Sequence, residues 1–247
     1  MSRKIGILGV LALVGLTGCG APNAQGINDP FEETNRKWHE TNLAIDRGLV
    51  GPAAKTYGLV PPELRASVSN VADTLSLPGV MVNDVLQLRF GDALSNGARL
   101  VLNATLGIGG LFDPATGMGL AKRDSDFGET LNVWGAGEGR YVVLPLLGPS
   151  TERDALGIMV DIALDPLGHV LDPSQMRART GFKVLELADD RTRYSDLYES
   201  VLYGSADSYT AMRLTYLDKR RYDLGKGDQV AGESAGVAYD IYEDFYE

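Results

Sequence analysis

The single cysteine of the chain, Cys19, closes the run Leu13, Val14, Gly15, Leu16, Thr17, Gly18. A branched apolar residue, two small residues and a cysteine are what the lipoprotein signal peptidase recognises, so the chemistry expected of this thiol is acylation. Other residues offer weaker cases. Gly232, Glu233, Ser234, Ala235 and Gly236 match the nucleophile-elbow spacing of serine hydrolases. That elbow needs a strand before it, a helix after it, and an acid and a histidine further on. Only 11 residues follow Gly236, and both histidines, His39 and His169, lie upstream. The hydrolase reading is therefore rejected. Two separated histidines without a cysteine cluster furnish no zinc set, and His39 is expected at a surface or interface. Asp124, Ser125 and Asp126 begin like a calcium loop, but Phe127 and Gly128 displace the next ligands, which leaves helix capping as the expected role. Gly107, Ile108, Gly109 and Gly110 lack the lysine and the spacing of a phosphate cradle. No catalytic residue, no metal and no cofactor beyond the covalent lipid on Cys19 is expected, so the chain reads as a non-enzyme.

The segment that must present Cys19 is itself recognisable. Arg3 and Lys4 make a positive end, and Ile5 to Leu16 make an apolar stretch too short to remain as a spanning helix. Residues 1–18 are read as a lipoprotein signal peptide, and residues 19–28 as a lipidated tether. With burial worth about 0.8 kcal/mol per methylene, a triacylated cysteine is an effectively permanent anchor. Gly20 stands where an aspartate would be expected to retain the protein in the inner membrane, which favours the periplasmic face of the outer membrane.

Charge narrows the partners. Loss of residues 1–18 removes Arg3 and Lys4 from the 23 basic side chains and none of the 33 acidic ones, leaving a formal charge of −12. Nucleic acid is excluded on that balance. No polybasic patch for anionic headgroups is visible either. The longest uncharged stretches of the mature chain, residues 100–112 and 141–151, are too short to span a bilayer. They suit core elements, or segments that enter a single leaflet.

The elements read as mostly helical, in one domain. Asp29 and Pro30 are expected to start a helix on which Trp38, Asn42, Ile45 and Leu49 share one side. Pro61 and Pro62 start a second, with Leu64, Val68, Val71 and Leu75 at intervals of four and three, and Pro78 ends it or opens the next. Val80 to Leu88 and then Leu94 to Thr105 continue as apolar helices. Residues 107–148 carry ten glycines without a sustained period, which marks an ordered loop or hairpin region. Tyr141 to Leu147 is a short strand or hairpin arm. A helix then runs from about Ser150 until Asp165 and Pro166 stop it, and a helical stretch from Met176 to about Tyr222 breaks near Gly204. Residues 225–247 form an acidic tail, expected to be flexible.

Several blocks, taken with the cysteine motif, resemble the MlaA (VacJ) family of outer-membrane lipoproteins over residues 29–224. They are Asp29, Pro30, Phe31, Glu32, Asn35 and Arg36; Pro78, Val82, Asn83, Leu86 and Gln87; and Asn103 through Asp113. The densest runs from Asp126, Phe127, Gly128, Glu129 through Trp134 to Gly137, then Tyr141 to Pro145, Gly148 to Ser150, Arg153 and Asp154. Thr34 and Arg140 depart from the family pattern, as do Trp38 to Asn42 in part.

The resemblance implies a ring-like helical domain, lipid-anchored in one leaflet beside a trimeric outer-membrane porin. It implies that phospholipids misplaced in the outer leaflet pass through a central channel to a soluble periplasmic carrier, MlaC, which maintains lipid asymmetry. A structural lipoprotein that docks on the porin without transport is the alternative. A headgroup-passing channel demands two-sided helices. Trp38, Asn42, Ile45, Asn83, Asn103, Thr105, Gly107, Gly109 and Gly110 are the candidates for the lipid path, with core packing or turns as the alternative reading for each.

Overall fold

The computed structural model describes residues 26–225, so Cys19, the signal peptide, most of the tether and all but the first residue of the acidic tail lie outside the described residues. The described chain is mostly helical with one small sheet. Helix α1 (Glu32–Ile45) carries Glu32 and Glu33 at its positive end and runs on through a π-helical turn (Asp46–Val50) into α2 (Gly51–Tyr57). Asp29, expected as a helix cap, does not cap α1. Its side chain is buried in an ion pair with Arg213, 2.5 Å away, and takes the Tyr209 hydroxyl at 2.5 Å.

Helix α3 (Pro62–Leu86) is continuous through Pro78, so the break expected there is absent. It packs against α4 (Phe90–Thr105). After the glycine-rich loop, short helices α5 (Pro114–Gly117) and α6 (Phe127–Val133) are each capped by an aspartate. Asp113 accepts from the Thr116 N–H and Asp126 from the Glu129 N–H, the capping role expected of Asp126. Thr151 caps α7 (Glu152–Leu164), which lies on α6 where Gly128 meets Gly157. A Cβ on Gly157 would fall 2.5 Å from the Gly128 nitrogen, so the two helices approach backbone to backbone. Helix α8 (Pro166–Val170) leads to α9 (Pro173–Arg193), which opens on a capping box of Asp172 and Gln175. The chain then passes through α10 (Ser195–Tyr198) and a second π-helical turn (Glu199–Gly204) to α11 (Ser208–Asp223).

The sheet is a hairpin of β1 (Tyr141–Leu144) and β2 (Gly148–Thr151), with Tyr141 opposite Thr151 and Leu144 opposite Gly148. Its small apolar core joins Ile27, Tyr141, Val143, Tyr209 and Leu217.

Along α4 the usual arrangement is inverted, with apolar side chains outside and polar ones inside. On α4, Ala93, Asn96, Arg99 and Asn103 recur at intervals of three and four and are buried, whereas Phe90, Leu94 and Val101 point out, Leu94 at 75 % exposure. The inner face is held by polar contacts instead. Asn96 donates to Asp84 at 2.8 Å, Arg99 pairs with Asp113 at 2.8 Å, and Gln87 donates to Thr130 at 2.8 Å. Leu106, Ile108, Phe112 and Trp134 are exposed nearby in the sequence. An apolar outer face over a polar inner one suits an apolar surrounding medium better than water. No helix among the described residues is long and apolar enough to cross a membrane.

Candidate functional site

A cavity of about 560 Å³ opens between α1, the first π-helical turn, the hairpin and α9. Leu43, Leu49, Val143, Leu187, Leu202 and Met212 supply apolar wall, and His39, Asn42, Asp46, Arg191 and Tyr198 supply its polar points. Leu146 and Leu147 at the hairpin tip line it while remaining largely exposed, so the cavity communicates with the outside across leucine side chains.

Two asparagines on α1 fix the hairpin against this wall. Asn35 donates from Nδ2 to the Tyr141 carbonyl at 3.1 Å and accepts the Val143 N–H at 2.9 Å. Seven residues on, Asn42 donates to the Leu144 carbonyl at 3.0 Å and accepts the Leu146 N–H at 2.8 Å. Seven helical residues rise about 10.5 Å, and three strand residues cover about 10 Å. The asparagine pair therefore keeps step with the strand and serves β1 as a neighbouring strand would. Leu146 takes its place at the tip in the left-handed region, with φ of 66°.

The charges of the wall are matched among themselves. Arg191 donates to both oxygens of Asp46, at 3.0 and 3.1 Å, and to Glu199 at 3.2 Å, and the Tyr203 hydroxyl donates to Asp46 at 2.6 Å. Burial acts to raise the Asp46 carboxyl, but the bonds from Arg191 and Tyr203 outweigh it and hold Asp46 below the usual carboxylate range. Burial, with the Asp46 hydrogen bond, pushes Tyr203 up to about 12. His39, expected at a surface or interface, is buried. Its Nε2 lies 2.9 Å from the Ser208 hydroxyl, its ring meets Tyr209 edge-on, and burial lowers its pKa so that the neutral ring dominates at pH 7.

A second, smaller cavity of about 350 Å³ sits beside α11. Its arginine, Arg220, spans Asp126 at 2.7 and 2.8 Å and Asp154 at 3.0 and 3.1 Å, and Tyr216 donates to Asp154 at 2.8 Å. Burial raises the Asp154 carboxyl, Arg220 and Tyr216 lower it more, and the net shift is down. With the guanidinium saturated by carboxylates, this cavity is a structural tie between α6, α7 and α11. No cluster of histidine, cysteine or acidic residues suited to a metal ion occurs among the described residues.

Of the sequence candidates for the lipid path, Asn42 and Ile45 line the larger cavity. Trp38 is exposed on α1 outside it. Asn83 is buried between α3, α6 and α7, bonded to Asp161 at 2.8 Å and Thr130 at 2.9 Å. Asn103 accepts the Ala115 N–H at 3.3 Å, and the Thr105 hydroxyl returns to the Val101 carbonyl at 2.6 Å. Gly107 is crowded by the carbonyls of Asn103 and Phe112. Gly110, at φ 91°, lies against Thr74, and Gly109 is open at φ 70°. These seven do not line the cavity. Asp46, Leu187 and Arg191, which do, carry no sequence signal that unites them, since Asp46 and Arg191 lie 145 positions apart.

Comparison with known proteins places this geometry in context. The profile of the family described as MlaA lipoprotein matches residues 27–223. The chain is similar to the intermembrane phospholipid transport system lipoprotein MlaA of Escherichia coli K12, at 33 % identity over 90 % of this chain and 88 % of that one. Its counterpart in Haemophilus influenzae is 26 % identical over 95 % and 96 % of the two chains. An uncharacterised protein of Rickettsia bellii is 32 % identical over 78 % and 77 %. A solved structure concerned with the structural basis for maintenance of bacterial outer membrane lipid asymmetry superimposes with a TM-score of 0.66 at 29 % identity, covering 79 % of this chain and 98 % of that one.

Proposed function

The chain belongs to the MlaA lipoprotein family, and from that membership we propose that it is an outer-membrane lipoprotein that removes mislocalised phospholipids from the outer leaflet. In this reading acylated Cys19 anchors it at the periplasmic face, a trimeric porin stands beside it, and lipid leaves through the α1, hairpin and α9 cavity to a soluble periplasmic carrier. No covalent bond changes, so the protein transports and does not catalyse. The observation that carries the reading is the cavity itself, an apolar space with internally matched charges that opens across exposed leucines. Such a wall holds acyl chains without binding a counter-ion. The outward apolar face of α4 supports a seat in hydrocarbon.

The test is the phospholipid content of the outer leaflet in a deletion strain, complemented by wild type or by Cys19→Ala. Accumulation on deletion, relieved by wild type and not by Cys19→Ala, is the expected result. An unchanged leaflet would overturn the transport role and leave a porin-docking one.

A further inference from the structure

Resting on that transport reading, we propose that Tyr198 is the specificity-determining residue of the cavity, its hydroxyl donating to an ester carbonyl of the glycerolipid, so that the site reads the ester linkage and not the headgroup. Most polar groups of the wall already have partners. Asn42 holds the hairpin backbone, Asp46 takes Arg191 and Tyr203, and Arg191 gives Nε and Nη2 to Asp46 and Glu199. Tyr198 lines the same wall and differs. Its hydroxyl has no hydrogen-bond partner among the described residues, whereas Tyr203, Tyr209 and Tyr216 each donate to an aspartate. In a largely apolar cavity an open donor of this kind fixes how a guest is oriented, and a guest that covers it without accepting from it loses free energy.

The hydroxyl acts as a donor. Burial pushes its pKa above the ordinary tyrosine value, with Asp190 adding to the rise, so it keeps its proton at pH 7. Its ring is held in place, because the buried Arg191 guanidinium lies 4.8 Å from the ring centroid and is itself fixed by Asp46 and Glu199. Arg191 keeps Nη1 without a partner beside that ring, a second open donor. No positive charge is left over there, since two carboxylates face the one arginine. A phosphodiester would meet those carboxylates along with the arginine, whereas a neutral carbonyl accepts from the tyrosine and brings no charge. A diacyl glycerolipid carries such an acceptor at the head of each acyl chain, where its hydrocarbon begins. The remaining open groups of the wall, the Tyr141 hydroxyl and the second ring nitrogen of His39, belong to side chains buried against Tyr209 at the hairpin core, while Tyr198 is only half-buried.

The experiment compares linkages. Lipid-depleted full-length protein in maltoside micelles is offered equal amounts of dipalmitoyl phosphatidylethanolamine and its di-O-hexadecyl ether analogue, which share headgroup and chain length, and native mass spectrometry reports the two adducts. Wild type should retain the ester lipid about threefold to tenfold over the ether, the effect of one hydrogen bond. Tyr198→Phe keeps the ring and its arginine, and should bring that ratio close to one by weakening ester binding while ether binding is unchanged. A ratio that survives in Tyr198→Phe overturns the proposal. An equal loss of both lipids in the variant also overturns it, because the hydroxyl would then serve the phosphate or the packing. A wild-type ratio near one overturns it with no variant needed, which covers the case of a variant that does not fold. Phosphatidylglycerol pairs should give the same ratio as phosphatidylethanolamine pairs, and a preference seen with one headgroup alone overturns the reading of the linkage. The two readings fail separately. An ester preference lost in Tyr198→Phe, with an outer leaflet unchanged on deletion, removes transport and leaves the ester contact. A leaflet phenotype with a wild-type ratio near one does the reverse.

Discussion

Replacing Asn35 by alanine should damage the fold far more than replacing Asn42, although both make the same pair of bonds to the hairpin. Asn35 is buried beside Tyr141 and Val143 and also donates to Asp29 at 2.9 Å. Its loss strands the Val143 N–H and the Tyr141 carbonyl where water does not reach, and each buried unsatisfied group costs about 1 to 3 kcal/mol. Asp29 loses a donor as well. A destabilisation of roughly 3 to 5 kcal/mol follows for Asn35→Ala. Of the partners of Asn42, the Leu146 N–H is at the exposed tip and the Leu144 carbonyl is half-buried, so water takes over more readily and about 1 kcal/mol is expected there. For a domain of this size, 1 kcal/mol moves Tm by roughly 2 to 4 °C, so Asn35→Ala should melt about 8 to 15 °C below wild type and Asn42→Ala only a few degrees below. Asn35→Asp should be no better than alanine, because it sets a carboxylate against the Asp29 carboxylate and the Tyr141 carbonyl. The assay is thermal unfolding in detergent, with hydrogen exchange at residues 141–146 to locate the effect. Equal Tm losses for the two alanine variants would refute the burial argument that separates Asn35 from Asn42.

Arg213→Met should cost about 3 to 5 kcal/mol, because it leaves the fully buried Asp29 carboxylate without its cation; recovery of a good part of that loss in the Asp29→Asn, Arg213→Met double variant is the check. Asp84→Asn should raise Tm at pH 7. Burial lifts the Asp84 carboxyl above the usual value of 3.8, reinforced by Asp92 and Glu129 and opposed by Asn96 and Arg89, so the folded state holds its proton more tightly than the unfolded one. The ionised group thus costs stability above its folded pKa, and the advantage of Asp84→Asn should shrink as pH falls from there toward 4. A difference independent of pH would count against it. Leu94→Lys, at a 75 % exposed position, should leave the melting temperature in detergent within about 2 °C of wild type yet weaken flotation of the Cys19→Ala protein with phosphatidylethanolamine vesicles, as surface charge is tolerated in water and costly in hydrocarbon. Unaltered flotation would remove α4 from the membrane face.

The elements that depend on near neighbours were legible. Asp126 caps its helix through its own third residue on, and Asp165 with Pro166 ends α7 as the pairing of a turn residue with proline requires. The hairpin arm at Tyr141 was visible from its apolar run between glycines. What escaped is long-range. Asp29 offers the same side chain to a helix N-terminus or to a distant arginine, and only the packing of α11 against the N-terminal segment decides for Arg213. His39 lies buried for the same reason, since its cover, Ser208 and Tyr209, comes from α11. The cavity joins residues 39–53 to residues 184–212, and nothing local in either segment refers to the other.

The deepest ambiguity concerns the direction of burial. Periodicity at three and four reveals that a helix has two faces, and the usual inference that the apolar one turns inward presumes water outside. On α4 the pattern of Leu94, Ala98, Val101 and Leu102 is as regular as in any core helix, yet Leu94 and Val101 face outward and Asn96, Arg99 and Asn103 face in. Two features in the sequence speak against the usual direction. One is that the polar stripe contains two asparagines and an arginine, with Asp113 to pair the arginine and Asp84 to accept from Asn96, a set that can be satisfied internally. The other is Cys19, whose acylation would place the domain where an apolar exterior costs nothing. Hydrophobic periodicity and the lipid motif are each ambiguous alone. Together they favour the apolar face as the outer one, because an apolar surrounding medium lets a helix present its leucines while its interior is held by hydrogen bonds.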